Sequence, residues 1–348
     1  MKHLLSLLFS ACGCLAAMAQ GGGPRWFPAD DPHIQYMGRV DLSNPKLPRF
    51  WNPGTVVKLR FGGPSCRIVV HDEVQYGNSH NYIVVLVGDQ VAYRMKLRGH
   101  ADTLTIPGNG SPIVTLCKAT EGIGWMELAG VEADTLLDPP PLPDRKIEFI
   151  GNSITCGFGS DISDIPCGKG EWYDQHNAWM SYGPLTARAL TAQWHLTAVS
   201  GIGLIHSCCE MTITMPQVFD RMDNRGNQGN WDFKQYQPDV VTVCLGQNDG
   251  IQDSTAFCGA YVTFLAHLRQ VYPSARIVLL TSPMGNAELT TVLKRYIQGV
   301  IGGLGDARVS SFFFSKQWNH GCAGHPDIAD DREIAGELTG YLRGLMGW

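Results

Sequence analysis

Four short stretches of this chain hold groups that, if brought together, could carry acyl transfer. Gly151-Asn152-Ser153 offers a hydroxyl, Ser200-Gly201-Ile202-Gly203 a backbone amide with no side chain in front of it, Gly246-Gln247-Asn248-Asp249 a carboxamide, and Gly324-His325-Pro326 an imidazole. A serine hydroxyl is a poor nucleophile until a base removes its proton, and an attacked carbonyl needs donors for the charge developing on its oxygen. Each block alone has an ordinary structural use: serine caps helices, asparagine shapes turns, and a histidine before proline usually lies on a surface. Their order and spacing make them a set.

The elements around them read as strands that end where the chemistry begins. Lys146-Ile147-Glu148-Phe149-Ile150 is a short apolar run stopped by Gly-Asn, the pattern of a buried parallel strand ending in a sharp turn. Beyond it, strands at 194–199, 240–245, 276–281 and 308–314 alternate with helical patterns at 178–191, 216–222, 255–271, 289–301 and 328–345. Five strands with intervening helices predict a doubly wound, flavodoxin-like α/β sheet, with the four blocks at the strand ends where such sheets hold ligands. Upstream, residues 56–61, 67–70, 82–87, 91–97, 102–106, 113–118 and 126–131 are short runs rich in Val, Ile and aromatics, broken by turns such as Val87-Gly88-Asp89 and Gly108-Asn109-Gly110. They predict an all-β, jelly-roll-like sandwich over residues 25–138. Between the two, Asp138-Pro139-Pro140-Pro141-Leu142-Pro143-Asp144 is too rich in proline for helix or sheet. Residues 139–144 are therefore read as a linker and 145–348 as the chemical domain.

A chain of 348 residues, 44% hydrophobic and 17% charged, has material for two folded units rather than for disorder. Its net charge of −5, with no basic block, argues against a nucleic-acid partner. Residues 1–19 carry Lys2 and His3, an apolar run and Ala17-Met18-Ala19, which predicts a secretory signal peptide and a secreted or periplasmic protein. Phe9-Ser10-Ala11-Cys12 loosely resembles a lipoprotein cleavage box with a weak first residue, so lipid anchoring is the lesser expectation. No later run reaches the roughly 20 apolar residues of a membrane span. Of 11 cysteines, Cys12 and Cys14 fall in the leader, leaving an odd number that cannot all pair and no metal-type spacing. The pattern of disulfides and the oligomeric state stay open.

At the four blocks the chain resembles the SGNH (GDSL-like) hydrolases, which carry a serine, a glycine, an asparagine and a histidine in this order. More narrowly it is similar to carbohydrate esterase family 2, through Gly-Asn-Ser-Ile-Thr-Cys-Gly at 151–157, Tyr182-Gly183 before Ala187-Arg188-Ala189-Leu190, and Met215-Pro216 before Asp220-Arg221. Lys118-Ala119-Thr120-Glu121 and Gly321-Cys322 also fit. The resemblance implies a three-layer SGNH domain behind the β-sandwich, and removal of O-acetyl groups from plant cell-wall polysaccharides such as xylan and glucomannan. It implies Ser153 as nucleophile, His325 as base, and an oxyanion site made by the Ser153 and Gly201 amides and the Asn248 carboxamide. No metal or organic cofactor is needed, and the partner is an acetylated poly- or oligosaccharide. One departure stands out: these hydrolases commonly place an aspartate three residues before the histidine, and here that residue is Cys322. Some family members use a backbone carbonyl instead, so the group orienting His325 is either a carbonyl or a carboxylate from elsewhere.

Other residues are weighed against simpler uses. Asp327, Asp330, Asp331 and Glu333 suit the start of a helix, and Asp249 suits loop bracing. Among tryptophans of the second domain, Trp318 is the expected sugar platform because it shortly precedes His325. The alternatives are a lipase-like SGNH enzyme, a bacterial-glycan O-acetyl esterase and, from another class, an inactive secreted glycan-binding protein.

Overall fold

The computed structural model describes residues 23–88, 92–108, 110–226 and 228–348. The expected leader, the start of the strand expected at 91–97, and parts of the turns at 87–89 and 108–110 lie outside the described residues.

Alternation of buried and exposed side chains builds the first domain. Its strands are β1 (Arg25–Pro28), β2 (Gln35–Met37), β3 (Arg49–Phe50), β4 (Val56–Asp72), β5 (Tyr82–Val87), β6 (Tyr93–Lys96), β7 (Ala101–Pro107), β8 (Ile113–Lys118) and β9 (Met126–Leu137). The two strands expected at 56–61 and 67–70 are one strand. Gly62-Gly63-Pro64 forms a bulge that shifts the register of β4 against β9, so the first half of β4 pairs with β8 and the second half with β7. The sheet turns back over a core containing Leu59, Phe61, Ile68, Val85, Leu104, Val114, Leu128 and Val131. The very short β1, β2 and β3 were not anticipated, since two to four residues carry too little alternation to read.

No helix or strand occupies residues 138–144. The second domain follows as β10 (Arg145–Gly151), α1 (Ser153–Cys156), α2 (Tyr182–Ala189), β11 (Ala192–Ala198), α3 (Met215–Val218), β12 (Val240–Val243), α4 (Ser254–Val271), β13 (Arg276–Leu280), α5 (Ala287–Leu304), β14 (Val309–Phe312) and α6 (Ile328–Met346). The strands pair in parallel in the order β11-β10-β12-β13-β14, the flavodoxin-like arrangement. Residues of β10 divide between its faces: Ile147 and Phe149 pack with Tyr182 and Leu338 on one side, Ile150 with Phe257, Leu265 and Ile297 on the other. That division makes the three layers. Two helices are shorter than expected. A single 3₁₀ turn at Ala178–Met180 precedes α2, and Thr191, at φ 51°, lies past its end; α3 is one turn. No helix among the described residues is long and apolar enough to cross a membrane.

One buried ion pair ties the domains together beneath the serine strand. Arg39, ahead of β3, donates to Glu148 of β10 at 3.1 Å and to the carbonyls of Phe219 and Arg221. Glu148 also accepts from Thr197 and Tyr272, and both charged side chains are fully buried. Removing one partner of such a pair strands the other charge in a dry interior. Arg39→Ala is expected to lose about 3–5 kcal/mol in urea unfolding; a loss below about 1 kcal/mol would place the pair among weak surface contacts.

Candidate active site

The site is assembled from the C-terminal ends of three adjacent strands, β11, β10 and β12, and the turn before α6. After β10 the chain turns at Asn152, whose side chain accepts the Ile154 amide and caps α1, lifting Ser153 to the rim of the sheet. After β11, Gly201 takes φ +86°, a conformation that calls for glycine, and a Cβ there would make a tight 3.2 Å approach to the Cys208 sulfur. After β12, the Asn248 carboxamide donates to the Ile202 carbonyl at 2.8 Å, which leaves its second N–H available. The neighbouring Asp249 braces this arrangement by accepting the backbone amides of Leu204, Ile205 and His206. Ser153, Gly201, Asn248 and His325 line one cleft of about 360 Å³ with Phe158, Trp172, Ser200, Arg225, Gln247, Met284 and the adjacent, disulfide-bonded Cys208 and Cys209.

The serine and histidine are paired directly, with His325 Nε2 2.8 Å from Ser153 Oγ. On the far side of the ring, Nδ1 lies 3.1 Å from the carbonyl of Cys322. A carbonyl only accepts, so Nδ1 carries the proton and the Nε2 lone pair faces the serine hydroxyl, as a general base requires. The missing aspartate is thus replaced by a backbone oxygen, which resolves the two options the sequence left open. The acidic residues nearby are otherwise engaged: Asp327 and Asp330 form the capping box of α6, Asp331 accepts the Tyr182 amide, and Glu333 accepts from Trp318. The amides of Ser153 and Gly201 donate to no acceptor among the described residues.

Comparison with known proteins identifies the family of the chain. The carbohydrate esterase 2 N-terminal family model matches residues 36–141, and that of the GDSL-like lipase/acylhydrolase family matches residues 149–307. An acetylxylan esterase/glucomannan deacetylase of Cellvibrio japonicus is 31% identical over 336 residues, covering 92% of this chain and 91% of the relative. The chain belongs to carbohydrate esterase family 2. Among solved structures, a family two carbohydrate esterase from Cellvibrio japonicus superposes with a TM-score of 0.86 at 29% identity, covering 94% of this chain and 99% of that one. One from Clostridium thermocellum, in complex with cellohexaose, gives 0.82 at 28% identity, covering 90% and 99%. The protein is a carbohydrate esterase, a carboxylic ester hydrolase.

Trp318 is not part of this esterase's cleft. It is 1% exposed, donates its indole N–H to Glu333 at 2.9 Å and packs edge-on against Phe314 under α6. The aromatic wall comes instead from Phe158 and Trp172, stacked on each other with Trp172 47% exposed. Trp172 had a signal in the sequence, an aromatic in a Gly-rich loop. Phe158 and Arg225 had none: the first enters through the turn after α1, the second by pairing with buried Glu121 of the β-domain. His206 is exposed on the rim of the Asn248 loop, its Nδ1 3.3 Å from the Asn248 carbonyl. His176 is wholly buried behind Phe158, and burial pushes its pKa down to about 3, so it stays neutral.

Burial also holds the pKa of His325 below the ordinary histidine value, partly opposed by its hydrogen bonds to backbone carbonyls. An imidazole acts as a general base only when neutral, so with His325 in that role activity is expected to be lost as pH falls through this pKa. The acid limb of kcat/KM is expected below the roughly 6.5 of a free histidine. A midpoint above that value would contradict burial as the dominant influence.

Proposed function

We propose that this esterase is exported and removes O-acetyl groups from plant cell-wall polysaccharides, xylan or glucomannan, or from their oligosaccharides. The observation that carries the reading is the 2.8 Å contact between Ser153 Oγ and His325 Nε2, with Nδ1 held by a carbonyl. The sugars are suggested by the relatives named acetylxylan esterase/glucomannan deacetylase.

Ser153 Oγ attacks the acetyl carbonyl carbon while its proton passes to His325 Nε2. The carbonyl oxygen becomes an oxyanion facing the amides of Ser153 and Gly201 and the free N–H of Asn248. Collapse breaks the bond to the sugar oxygen, which leaves with the proton from His325, and acetyl-Ser153 remains. Water then repeats the sequence: His325 takes one proton, the hydroxyl adds to the acyl carbon, the bond from that carbon to Ser153 Oγ breaks as His325 returns the proton to Oγ, and acetic acid leaves, giving up its proton to solvent as acetate. Trp172, apolar and half-exposed beside the serine, gives a face on which the sugar ring can stack.

The test is acetate release from acetylated xylan and acetylated glucomannan, with Ser153→Ala in parallel and 4-nitrophenyl acetate against 4-nitrophenyl octanoate as simple esters. Release from a plant polymer that vanishes in the variant supports the proposal. Serine-dependent cleavage of the aryl acetate without release from either polymer discards the substrate and moves the reading to a bacterial glycan. Equal rates on acetate and octanoate favour a lipase-like enzyme, and silence on every ester favours a binding protein.

A further inference from the structure

The group that orients His325 raises a physical difficulty. A carboxylate placed beside an imidazole holds it by charge as well as direction, whereas a neutral carbonyl holds it only as firmly as the turn that carries it. Here the turn is Cys322–Gly324, and none of its residues is buried. Two successive residues are left-handed, Ala323 at φ 52° and Gly324 at φ 70°, a conformation that alanine rarely adopts. The Cys322 carbonyl accepts both the backbone amide and Nδ1 of His325, each at 3.1 Å. A rotation of that one peptide unit would swing Nε2 away from Ser153.

The Gly321 amide, donating to the His325 carbonyl at 2.7 Å, closes the turn, and a second restraint on such a rotation is covalent. Cys322 is disulfide-bonded to Cys167, across 155 residues of sequence. Its amide also donates to the Gly159 carbonyl at 2.9 Å, and a Cβ on Gly159 would come within 2.9 Å of the Cys322 Cβ. At the other end, Cys167 lies in the loop between α1 and Trp172. That loop is itself cross-braced: Gln175 donates to the carbonyls of Pro166 and Lys169, and the Asp161 amide to the Gln175 carbonyl. One bond therefore joins the histidine turn to the loop that carries the cleft tryptophan.

We propose that the Cys167–Cys322 disulfide is a positioning element of the esterase reaction, fixing the Cys322 carbonyl, and through it His325, in the place where related hydrolases use an aspartate. The proposal rests on the reading of Ser153 and His325 as the catalytic pair. It assigns no redox step: the bond is made once, and its task is geometric.

Cys167→Ala, Cys322→Ala and the double variant are compared with wild type on 4-nitrophenyl acetate at 25 °C, together with the rate of Ser153 labelling by a fluorophosphonate and the melting temperature. A misplacement of about an ångström costs up to about 100-fold in rate. All three variants are expected to lose about 10- to 100-fold in kcat and in labelling rate, with KM within about twofold. The double variant should be no worse than either single one, since all three break the same bond. A purely structural disulfide would lower the melting temperature and leave kcat of the folded protein unchanged, and that result overturns the proposal. So does a loss confined to Cys322→Ala, which would point to residue 322 and not to the bond.

If the variants do not fold, folded wild type is partially reduced with a phosphine and alkylated, and its residual activity is compared with the extent of modification mapped by mass spectrometry. Activity falling in step with alkylation of Cys167 and Cys322, and not of Cys208 and Cys209, supports the proposal; full activity with Cys167 and Cys322 fully alkylated ends it. Ser153→Ala is assayed alongside. Activity surviving in that variant would remove the catalytic pair itself, a failure separate from that of the disulfide.

Discussion

Ser153→Ala is expected to lower kcat by about 10⁵-fold or more while leaving KM for an aryl acetate near the wild-type value, as removal of a serine nucleophile does in other hydrolases. The side chain is buried, and its hydroxyl meets His325. Alanine removes that hydroxyl without opening a cavity or leaving a carbonyl unpaired, so the melting temperature should scarcely move. What remains in the variant is the cleft and the proposed oxyanion donors, which on that reading still bind an ester and polarise it toward water. His325→Ala should fall to a similar level, because the serine then has no acceptor for its proton. The ring also packs against Phe158, so this second variant is expected to lose some stability as well. The informative measurement is the double variant. Two groups that share one proton act as a unit, and the double change should be no slower than Ser153→Ala alone. A Ser153→Ala protein that keeps more than about 1% of wild-type kcat would mean that another nucleophile works in this cleft.

The same pair shows which parts of the site could be read from sequence. Ser153, Gly201, Asn248 and His325 were legible because each follows or precedes an element with an unmistakable pattern, and a parallel sheet brings its strand ends together whatever the loops do. The orienting group was not legible, since a backbone carbonyl has no side-chain signature; the sequence showed only that the expected carboxylate was absent. The partner of Cys322 was equally hidden, 155 residues away in sequence and set by tertiary folding alone. Trp318 misled for a physical reason. It stands close to His325 in sequence, but its amide is held by the Pro283 carbonyl and its indole N–H by Glu333 of α6, so the ring is packed away from the cleft, while Trp172 reaches the cleft from a loop far upstream. In the β-domain, the apolar runs at 56–61 and 67–70 read as two strands because Gly62-Gly63-Pro64 lies between them. The backbone there bulges and continues, because strands on both flanks hold β4 in the sheet.

Asn248→Ala carries the second large effect, a loss of about 10²- to 10³-fold in kcat with little change in KM. One carboxamide N–H is already committed to the Ile202 carbonyl, which fixes the plane of the amide before any ester arrives. The other then needs no reorganisation when charge appears on the carbonyl oxygen, and donors of this kind act more strongly on the oxyanion than on the neutral ester. Asp249 holds the adjoining loop through backbone amides, independently of the Asn248 side chain, so the loop should survive the substitution. The oxyanion is common to every acetyl ester, whatever alcohol it carries. Asn248→Ala should therefore slow 4-nitrophenyl acetate and acetylated polysaccharide by the same factor, whereas Trp172→Ala should impair the polysaccharide and spare the aryl ester. If Asn248→Ala instead affects the polysaccharide alone, its carboxamide binds sugar, and the charge on the oxygen must be met by the two backbone amides without it.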